Sequence, residues 1–276
     1  MSQTSTTGNR FVFVAPMYNA SDYVRQMLFS IFGQSYDNWH IILIDDVSDP
    51  AHLQKSEDVI NSFVYMGSNG TYAARHTSEV NNDEKIMRSA KVTLIKNVTK
   101  KWEVANVLRG ISECEDNDII CRIDADDWLT EIDALAYLNA LYNQTGSEAL
   151  WTAHRWAFTD KNISGPMPPG VDVYQYPWVS SHLKTFRKYL LNNVPYENFL
   201  NESGELVKRA GDQAIFLPAL HRTQRRGYIP RCMYHYTIKD VPETYQTADA
   251  RFQRDEALFL RARGYVSSGP SWESKL

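Results

Sequence analysis

The chain has 276 residues, of which 43% are hydrophobic and 22% charged, and its formal net charge is −4. This composition is typical of a globular protein and excludes a wholly disordered chain. The first ten residues lack the apolar core of a secretory signal, no apolar run is long enough to span a bilayer, and the three cysteines form neither a metal-binding spacing nor a redox pair. We therefore expect a cytoplasmic protein in a reducing environment.

Strand-like and helix-like patterns alternate along the first half of the chain. Short apolar runs predict buried strands over 11–16, 39–44, 92–95 and 119–123, and apolar residues at helical spacing predict helices over 24–32, 53–63 and 102–111. Residues 67–88 are polar and show no clear periodicity. This alternation predicts an α/β fold, with a Rossmann-like, mixed but mainly parallel sheet flanked by helices in a single domain.

The second half of the chain is less regular. The patterns predict helices over 132–142, 214–220 and 246–263, strands over 149–153 and 232–236, and a proline-rich loop at 165–170. Residues 180–240 contain ten Lys or Arg against five Asp or Glu, so this segment is basic while the rest of the chain is acidic. Such an excess is typical of a site for a phosphate-bearing ligand, but it also occurs on ordinary solvated surfaces.

The most informative motif follows the fourth predicted strand, where Asp124, Asp126 and Asp127 lie within four positions. Side chains alternate along a strand, so we expect Asp124 and Asp126 on one face and Asp127 on the other. Two carboxylates on one face repel each other unless a cation lies between them, and oxygen ligands suit Mn²⁺ or Mg²⁺, which in turn hold phosphates. The alternative is a solvated acidic turn in which Asp127 caps a helix.

Three polar segments follow predicted parallel strands: residues 16–19, 45–46 and 124–126. Ligands of open α/β sheets bind beyond the carboxyl ends of such strands. The sequence therefore predicts that these segments converge on one crevice.

Several motifs, in the same order, resemble those of family 2 glycosyltransferases. They are segments 14–19, 30–36, 42–49 and 123–128, together with Asn97 and the helix after it. The resemblance is strong over 11–135 and sparse to about 240. It implies the GT-A fold, a nucleotide-diphosphate sugar donor such as a UDP-sugar, a DXD-type metal site for Mn²⁺ or Mg²⁺, and inverting transfer.

The resemblance also implies a role for individual residues on the donor side. Pro16, Tyr18 and Asn19 would border the base and ribose, Asp46 would accept a hydrogen bond from the base, Asp124 would lie near the ribose, and Asp126 would bind the metal ion that bridges the diphosphate. Arg187 would help to neutralise the leaving group. His235 would reach the metal or diphosphate, although it could equally be a half-buried strand residue.

On the acceptor side, Asp212 stands where the family has the second member of an acidic pair, which implies that it is the general base. Gly211 replaces the first acid, and the alternative role of Asp212 is to cap the following helix. Trp178, His182 and Lys184 resemble the loop and helix that close over donor and acceptor. We interpret Arg225 and Arg226, from the basic segment, as acceptor-binding residues.

These assignments divide the chain into a flexible N-terminus (1–10), a nucleotide-sugar-binding half (11–130), an acceptor-binding and catalytic half (131–240), and a C-terminal helix and tail (241–276). The expected function is that of an inverting, metal-dependent hexosyl- or pentosyltransferase. The basic segment admits a hydroxylated base in DNA as the acceptor. A glycan, a lipid-linked acceptor, a small molecule and a non-catalytic binding module remain alternatives.

Two other enzyme classes use acidic residues in an α/β crevice. An Asp-x-Asp phosphatase would have Thr or Val where Asp127 and Trp128 stand. A sugar nucleotidyltransferase would have a glycine-rich, arginine-containing loop after the first strand, where this chain has Pro16-Met17-Tyr18-Asn19. The sequence therefore favours the glycosyltransferase.

Overall fold

The computed structural model describes residues 8–67, 77–80, 83–157, 159–237 and 248–276. Within these ranges, ten strands form a single mixed sheet. The strands are β1 (Phe11–Met17), β2 (Trp39–Asp45), β3 (Thr77–Val80), β4 (Glu84–Arg88), β5 (Val92–Asn97), β6 (Ile119–Arg122), β7 (Trp128–Leu129), β8 (Ala149–Trp156), β9 (Lys184–Arg187) and β10 (Arg226–Tyr236). The α-helices are α1 (Val24–Phe32), α2 (Pro50–Gly67), α3 (Trp102–Ile111), α4 (Ala134–Thr145), α5 (Gly211–His221) and α6 (Ala248–Arg263), and three 3₁₀ turns cover Lys188–Leu191, Tyr196–Phe199 and Trp272–Lys275.

The strand order is β3-β4-β5-β2-β1-β6-β9-β8-β10-β7. Its centre is the parallel group β5-β2-β1-β6, whose strands are almost continuously apolar. Parallel strands of this kind are buried on both faces, which explains the unbroken apolar runs. The predicted sheet is confirmed.

Two hydrophobic cores lie on opposite faces of the sheet. Along β1, Phe11, Phe13 and Ala15 face the core that contains residues of α1, α2 and α4, whereas Val12 and Val14 face the core that contains residues of α3, α5 and α6. Side chains alternate along a strand, so one short segment supplies both cores. α5 is buried on nearly all sides from Ala214 to Leu220 and therefore holds its first turn in a fixed position beside the sheet.

The structure differs from the sequence prediction at two strands near the sheet edge. β3 and β4 lie in the stretch without clear periodicity and extend the sheet by antiparallel pairing onto β5. Ile86 is the buried side chain of β4, and the other four side chains of this strand are partly or fully exposed. A single buried residue gives no recognisable alternation.

A second difference concerns residues 182–187, which were predicted to form a loop and a closing helix. That prediction is wrong, because Lys184–Arg187 form β9, which is inserted between β6 and β8 and antiparallel to both. Four residues are too few to distinguish strand from helix by periodicity.

The helix predicted over 246–263 is confirmed as α6 from Ala248 onward. Its first two residues, and residues 1–7 of the predicted flexible N-terminus, lie outside the described residues. None of the helices in the described ranges is both long and apolar enough to cross a membrane.

Candidate functional site

The parallel strands β1, β2, β5 and β6 end at one edge of the sheet. Met17 pairs with Asp45 and Asp45 with Lys96, while Arg122 pairs with Val14 of β1. The loops that follow β1, β2 and β6 therefore emerge together, as the sequence predicts. We call this side of the molecule the carboxyl edge.

Strained backbone is concentrated in these loops and at the start of α3. Asn19, Val47 and Trp102 have φ values of 51°, 65° and 68°, which lie in the left-handed region. Such a conformation is unfavourable for a β-branched residue such as Val47 and persists only where surrounding contacts enforce it. Asn19 shows these contacts, since its backbone N–H donates to Ser48 Oγ (2.9 Å) and its side-chain amide exchanges two hydrogen bonds with Asp49.

Asp46 is buried and already accepts three hydrogen bonds. Oδ1 accepts from the Lys101 N–H (2.7 Å) and the Asn97 side chain (3.1 Å), and Oδ2 accepts from the Trp102 N–H (3.0 Å). The carboxylate thus satisfies free N–H groups at the start of α3, where negative charge is favourable. Its predicted contact with a nucleobase stays a prediction and would have to share these hydrogen bonds.

An aromatic and cationic cluster borders the same edge. Tyr18 is 50% exposed, and Lys100 Nζ lies 3.3 Å from its ring centroid. Lys100, Lys208 and Arg209 also surround the Trp102 ring at 5.1, 5.9 and 5.2 Å. Rings stabilise cations at these distances, so the cluster offers both stacking surfaces and positive charge. Pro16, predicted beside the base, is partly exposed at the adjoining end of β1.

Asp124, Asp127 and His182 form the candidate metal centre. One ligand atom from each lies within 4.8 Å of the others. β6 ends at Arg122, and the Asp127 N–H donates to the Asp124 carbonyl (3.0 Å), so the chain turns here instead of continuing as a strand. The strand on which the shared face of Asp124 and Asp126 was predicted therefore ends before them, and the cluster contains Asp127 in place of Asp126. The metal-binding role of Asp126 stays a prediction.

His182 is enclosed by two tyrosine rings. Its imidazole stacks on Tyr234 and Tyr236, with ring centroids 4.8 and 5.1 Å away. Burial and the neighbouring Lys184 lower the pKa of His182 to about 3, although Asp212 opposes the shift. The imidazole is therefore neutral near pH 7, which is the form that binds metal ions.

Asp127 is held by β10 and the residue that follows it. Tyr234 Oη donates to Asp127 Oδ2 (2.6 Å), and the Thr237 N–H donates to Oδ1 (2.7 Å). Burial, followed by the charges of Asp124 and Asp126, raises the pKa of Asp127 well above its usual range. Crowded carboxylates beside a neutral imidazole are a donor set that fits a divalent cation such as Mn²⁺, because the cation would relieve the repulsion.

His235 does not lie with these residues. It stacks on Trp128 at 3.8 Å and faces a cavity of about 400 Å³ that is also lined by Phe29 and Arg155. Successive residues of β10 point to opposite faces, so Tyr234 faces His182 and His235 faces away. The structure therefore does not support the predicted metal-binding role of His235, and His182 is the histidine that joins the cluster.

Asp212 lies in the first turn of α5, close to the cluster. Its Oδ1 is 2.9 Å from Lys184 Nζ, and its Oδ2 is 3.6 Å from His182 Nε2. Burial alone would raise the pKa of Asp212, but Lys184, His182 and Arg122 together lower it. Lys184 and His182, predicted to bind the acceptor, are 1% and 5% exposed and face Asp212, so little of either side chain is accessible to an acceptor.

Two residues of the site were not singled out from the sequence. Arg122 is buried, and its Nη2 donates to Glu103 Oε1 and to Asp124 Oδ1, both at 2.7 Å. Glu103, in the first turn of α3, lies beside Gly211 and Asp212. The signal for Arg122 was a charge inside the apolar run 119–123, since a buried charge requires partners. Glu103 gave no signal, because its neighbours come from distant parts of the chain.

Four other predicted site residues lie elsewhere. Arg187 pairs with Ile119 at the opposite end of β6 and donates to Asn9 and to the Asn117 carbonyl. Arg226 pairs with Ala149 at that same end and donates to three backbone carbonyls, while Arg225 contacts Glu148. Their predicted donor and acceptor roles are not supported, because they are far from the carboxyl edge. Trp178 is partly buried and packs against the core on the α5 side.

Comparison with known proteins supports the family resemblance. The sequence model of "Glycosyl transferase family 2" matches residues 12–79. No curated protein sequence matches this chain significantly. The resemblance predicted from the motifs is therefore confirmed, on sequence, within the first part of the chain.

Solved structures extend the likeness to most of the chain. Staphylococcus aureus TarS 1–349 in complex with UDP-GlcNAc superposes with a TM-score of 0.60 at 16% identity, covering 84% of this chain and 60% of TarS 1–349. The mannosyltransferase PcManGT from Pyrobaculum calidifontis, in complex with GDP-Man and Mn²⁺, gives a TM-score of 0.59 at 12% identity and covers 96% of this chain and 67% of its own. The fold is the GT-A fold, and the chain spans about 60% of the TarS fragment.

Proposed function

We propose that this protein is a glycosyltransferase that moves a sugar from a nucleotide-diphosphate donor to an acceptor hydroxyl, with inversion at the anomeric carbon. The observation that carries the proposal is the convergence of Asp124, Asp127 and His182 with Asp212 at the carboxyl edge of a GT-A sheet. Ligands of open α/β sheets bind at that edge. The family model and the sugar-nucleotide complexes of the two structural relatives support the same class of donor.

The donor would lie across the ends of β1, β2 and β6. Tyr18 offers an exposed ring for a base, and Lys100 and Arg209 place positive charge near Trp102, where a diphosphate would be stabilised. We favour a UDP-sugar, as the sequence motifs imply. TarS is seen with UDP-GlcNAc and PcManGT with GDP-Man, so both nucleotides are included in the test below.

Asp124, Asp127 and His182 would hold a divalent cation, with Mn²⁺ favoured by its presence in the PcManGT complex. When bound, such a cation supplies positive charge that stabilises a departing diphosphate. The protein's own contribution is orientation. Tyr234 and Thr237 fix Asp127, and Arg122 fixes Asp124, so the ligand atoms are held before the ion arrives.

A single in-line displacement inverts the anomeric carbon and requires one proton acceptor beside the attacking hydroxyl. Asp212, partly exposed beside the cluster, and Glu103 are the carboxylates in position for this role. A carboxylate beside the cluster and the resemblance to family 2 glycosyltransferases together support inversion.

The acceptor is inferred from the surroundings of the predicted acceptor-binding residues. DNA was suggested by the basic segment, but Arg225 and Arg226 lie at the opposite end of the sheet and already contact Glu148 and backbone carbonyls. A DNA acceptor therefore loses the residues on which that hypothesis depended. We favour a neutral glycan or small hydroxylated acceptor, and a salt-independent acceptor KM between 50 and 200 mM salt would support this, because phosphate contacts make binding strongly salt-dependent.

Donor binding can be tested directly. Wild-type protein is screened by thermal shift against UDP-glucose, UDP-GlcNAc, GDP-mannose, CDP-glucose and dTDP-glucose, each with and without Mn²⁺. A ligand that binds only the folded state raises the unfolding temperature. We expect stabilisation by at least one sugar nucleotide, dependent on Mn²⁺, and its loss in Asp124→Asn and Asp127→Asn.

Two variants make the test specific. Asp58→Asn, on the exposed face of α2, should bind the donor as the wild type does. Asp126→Asn separates the two possible metal sites, since retained Mn²⁺-dependent binding supports the cluster seen in the structure and lost binding supports the original motif. Failure of every sugar nucleotide to stabilise the wild-type protein, with or without Mn²⁺, would contradict the proposed function.

A further inference from the structure

Glu103 places a carboxylate at the centre of the site. Its side chain is 26% exposed, and Oε1 accepts a hydrogen bond from Arg122 Nη2 (2.7 Å). The other oxygen, Oε2, accepts no hydrogen bond from the described residues. One oxygen therefore fixes the carboxylate and the other is available to a ligand.

The carboxylate fills the space beside Gly211. A Cβ atom at position 211 would lie 2.3 Å from Glu103 Cδ, 2.4 Å from Oε1 and 2.7 Å from Oε2, which is closer than any real contact. Gly211 is not among the residues with positive φ, so backbone conformation does not demand glycine here. The absent side chain instead allows the carboxylate of Glu103 to lie directly against the first turn of α5, one residue from Asp212.

The two carboxylates have different surroundings. Both oxygens of Asp212 face cationic or imidazole nitrogens, Lys184 Nζ at 2.9 Å and His182 Nε2 at 3.6 Å. Among the described residues, Glu103 forms an ion pair with one cation, Arg122, which it shares with Asp124. Burial raises the pKa of Glu103, with Arg122 opposing the shift and Asp124 and Asp212 adding to it. Lys184 and His182 already face the two oxygens of Asp212, whereas Oε2 of Glu103 has no hydrogen-bond partner among the described residues, so Oε2 is the oxygen open to an attacking hydroxyl.

We propose that Glu103, rather than Asp212, takes the proton of the attacking hydroxyl, an inference that rests on the proposed function. The acceptor O–H bond breaks and its proton passes to Glu103 Oε2, while the acceptor oxygen forms a bond to the anomeric carbon. The bond from that carbon to the diphosphate oxygen breaks, and its electron pair leaves with the diphosphate. Asp212, paired with Lys184, is a positioning residue that holds His182 and the start of β9.

The test uses the sugar nucleotide, among UDP-glucose, UDP-GlcNAc and GDP-mannose, that stabilises the wild-type protein with Mn²⁺. Its slow hydrolysis, with water as acceptor, is followed as released nucleoside diphosphate. Glu103→Gln keeps the shape of the side chain but cannot take a proton, so we expect an unchanged donor Kd and a rate lower by roughly 10²–10⁴. Glu115→Gln, an exposed position beyond the end of α3, is the matched control and should hydrolyse the donor normally.

Relocation of the carboxylate provides a second readout that a purely structural role would not produce. Glu103→Ala removes the base and also the atoms that would clash with a side chain at position 211. The double variant Glu103→Ala/Gly211→Asp should then recover at least about tenfold in rate over Glu103→Ala, because a carboxylate again projects into the same space. Asp212→Asn should lose less rate than Glu103→Gln.

The possible failures are distinguishable. If no sugar nucleotide stabilises the wild-type protein, the proposed function fails and the inference fails with it. If the donor binds normally and Glu103→Gln hydrolyses it as fast as the wild type, the inference alone is overturned. The same conclusion follows if Asp212→Asn abolishes hydrolysis while Glu103→Gln retains it.

Discussion

Lys184 and Asp212 form an ion pair of 2.9 Å between the first residue of β9 and the first turn of α5, and the lysine side chain is 1% exposed. The pair connects the two elements that surround the acidic centre. A buried cation without its partner is unfavourable by several kcal/mol, and the same holds for the carboxylate left behind.

Lys184→Met should therefore lower the free energy of unfolding by about 3 kcal/mol. The double variant Lys184→Met/Asp212→Asn leaves no unpaired charge and should recover part of that loss. The free energy of unfolding, from urea denaturation with an unchanged m-value, measures both. Equal destabilisation of the single and double variants would show that the charges are not coupled.

Gly211→Ala should displace the carboxylate of Glu103 from its contact with Arg122. Because the clashing atoms are the end of a flexible side chain, the expected loss of stability is modest, about 1–2 kcal/mol. In the double variant with Glu103→Ala the new methyl group fits, so the two effects should not add. Gly165→Ala is the control, since its Cβ would meet Val179 Cβ at 3.9 Å, an ordinary contact. Additive losses in the double-mutant cycle would count against the close packing of Glu103 on Gly211.

Glu148 should make the stability of the protein dependent on acid pH. Its side chain is 12% exposed and lies at the end of the sheet opposite the candidate site. Burial alone would raise the pKa of Glu148, but hydrogen bonds from Arg225, Thr223 and Tyr189 lower it to about 2. A lowered pKa in the folded state means that the contribution is complete above the unfolded value near 4.5 and is lost as the pH falls towards 2. The expected contribution is of the order of 2 kcal/mol.

The measurement for Glu148 is the free energy of unfolding between pH 6 and pH 2 for the wild type and for Glu148→Gln. The variant should be less stable at pH 6, and its stability should fall less steeply below pH 4.5. Glu202→Gln, at an exposed position, should follow the wild-type curve. Identical slopes for the wild type and Glu148→Gln would contradict the assignment.

Glu256 of α6 should be needed for the order of the segment before α5. It is 4% exposed, and its carboxylate accepts hydrogen bonds from the consecutive backbone N–H groups of Lys208, Arg209 and Ala210. Removing a buried acceptor leaves those N–H groups unpaired, which is unfavourable by about 1–3 kcal/mol. Glu256→Ala should lower stability and raise amide exchange over 208–212, whereas Asp255→Ala, exposed on the same helix, should change neither. Unchanged exchange in Glu256→Ala would refute this role.

The sequence by itself determined the class of fold and the edge at which the candidate site lies. Long buried apolar runs alternating with amphipathic helices leave few arrangements other than a parallel-centred sheet, because both faces of such strands must be covered. The positions of Asp46 and Asp124 after such strands then place them at the carboxyl edge. These features depend on periodicity and local order, which a sequence displays directly.

Only the tertiary structure decided which side chains meet. The motif pointed to Asp126 and His235, but a turn after β6 brings Asp127 towards Asp124, and a strand inserted from residues 184–187 brings His182 to them. Glu103 reaches Gly211 across more than 100 positions of the chain. Contacts of this kind follow from the packing of whole elements and from where a short strand ends, so no local pattern encodes them.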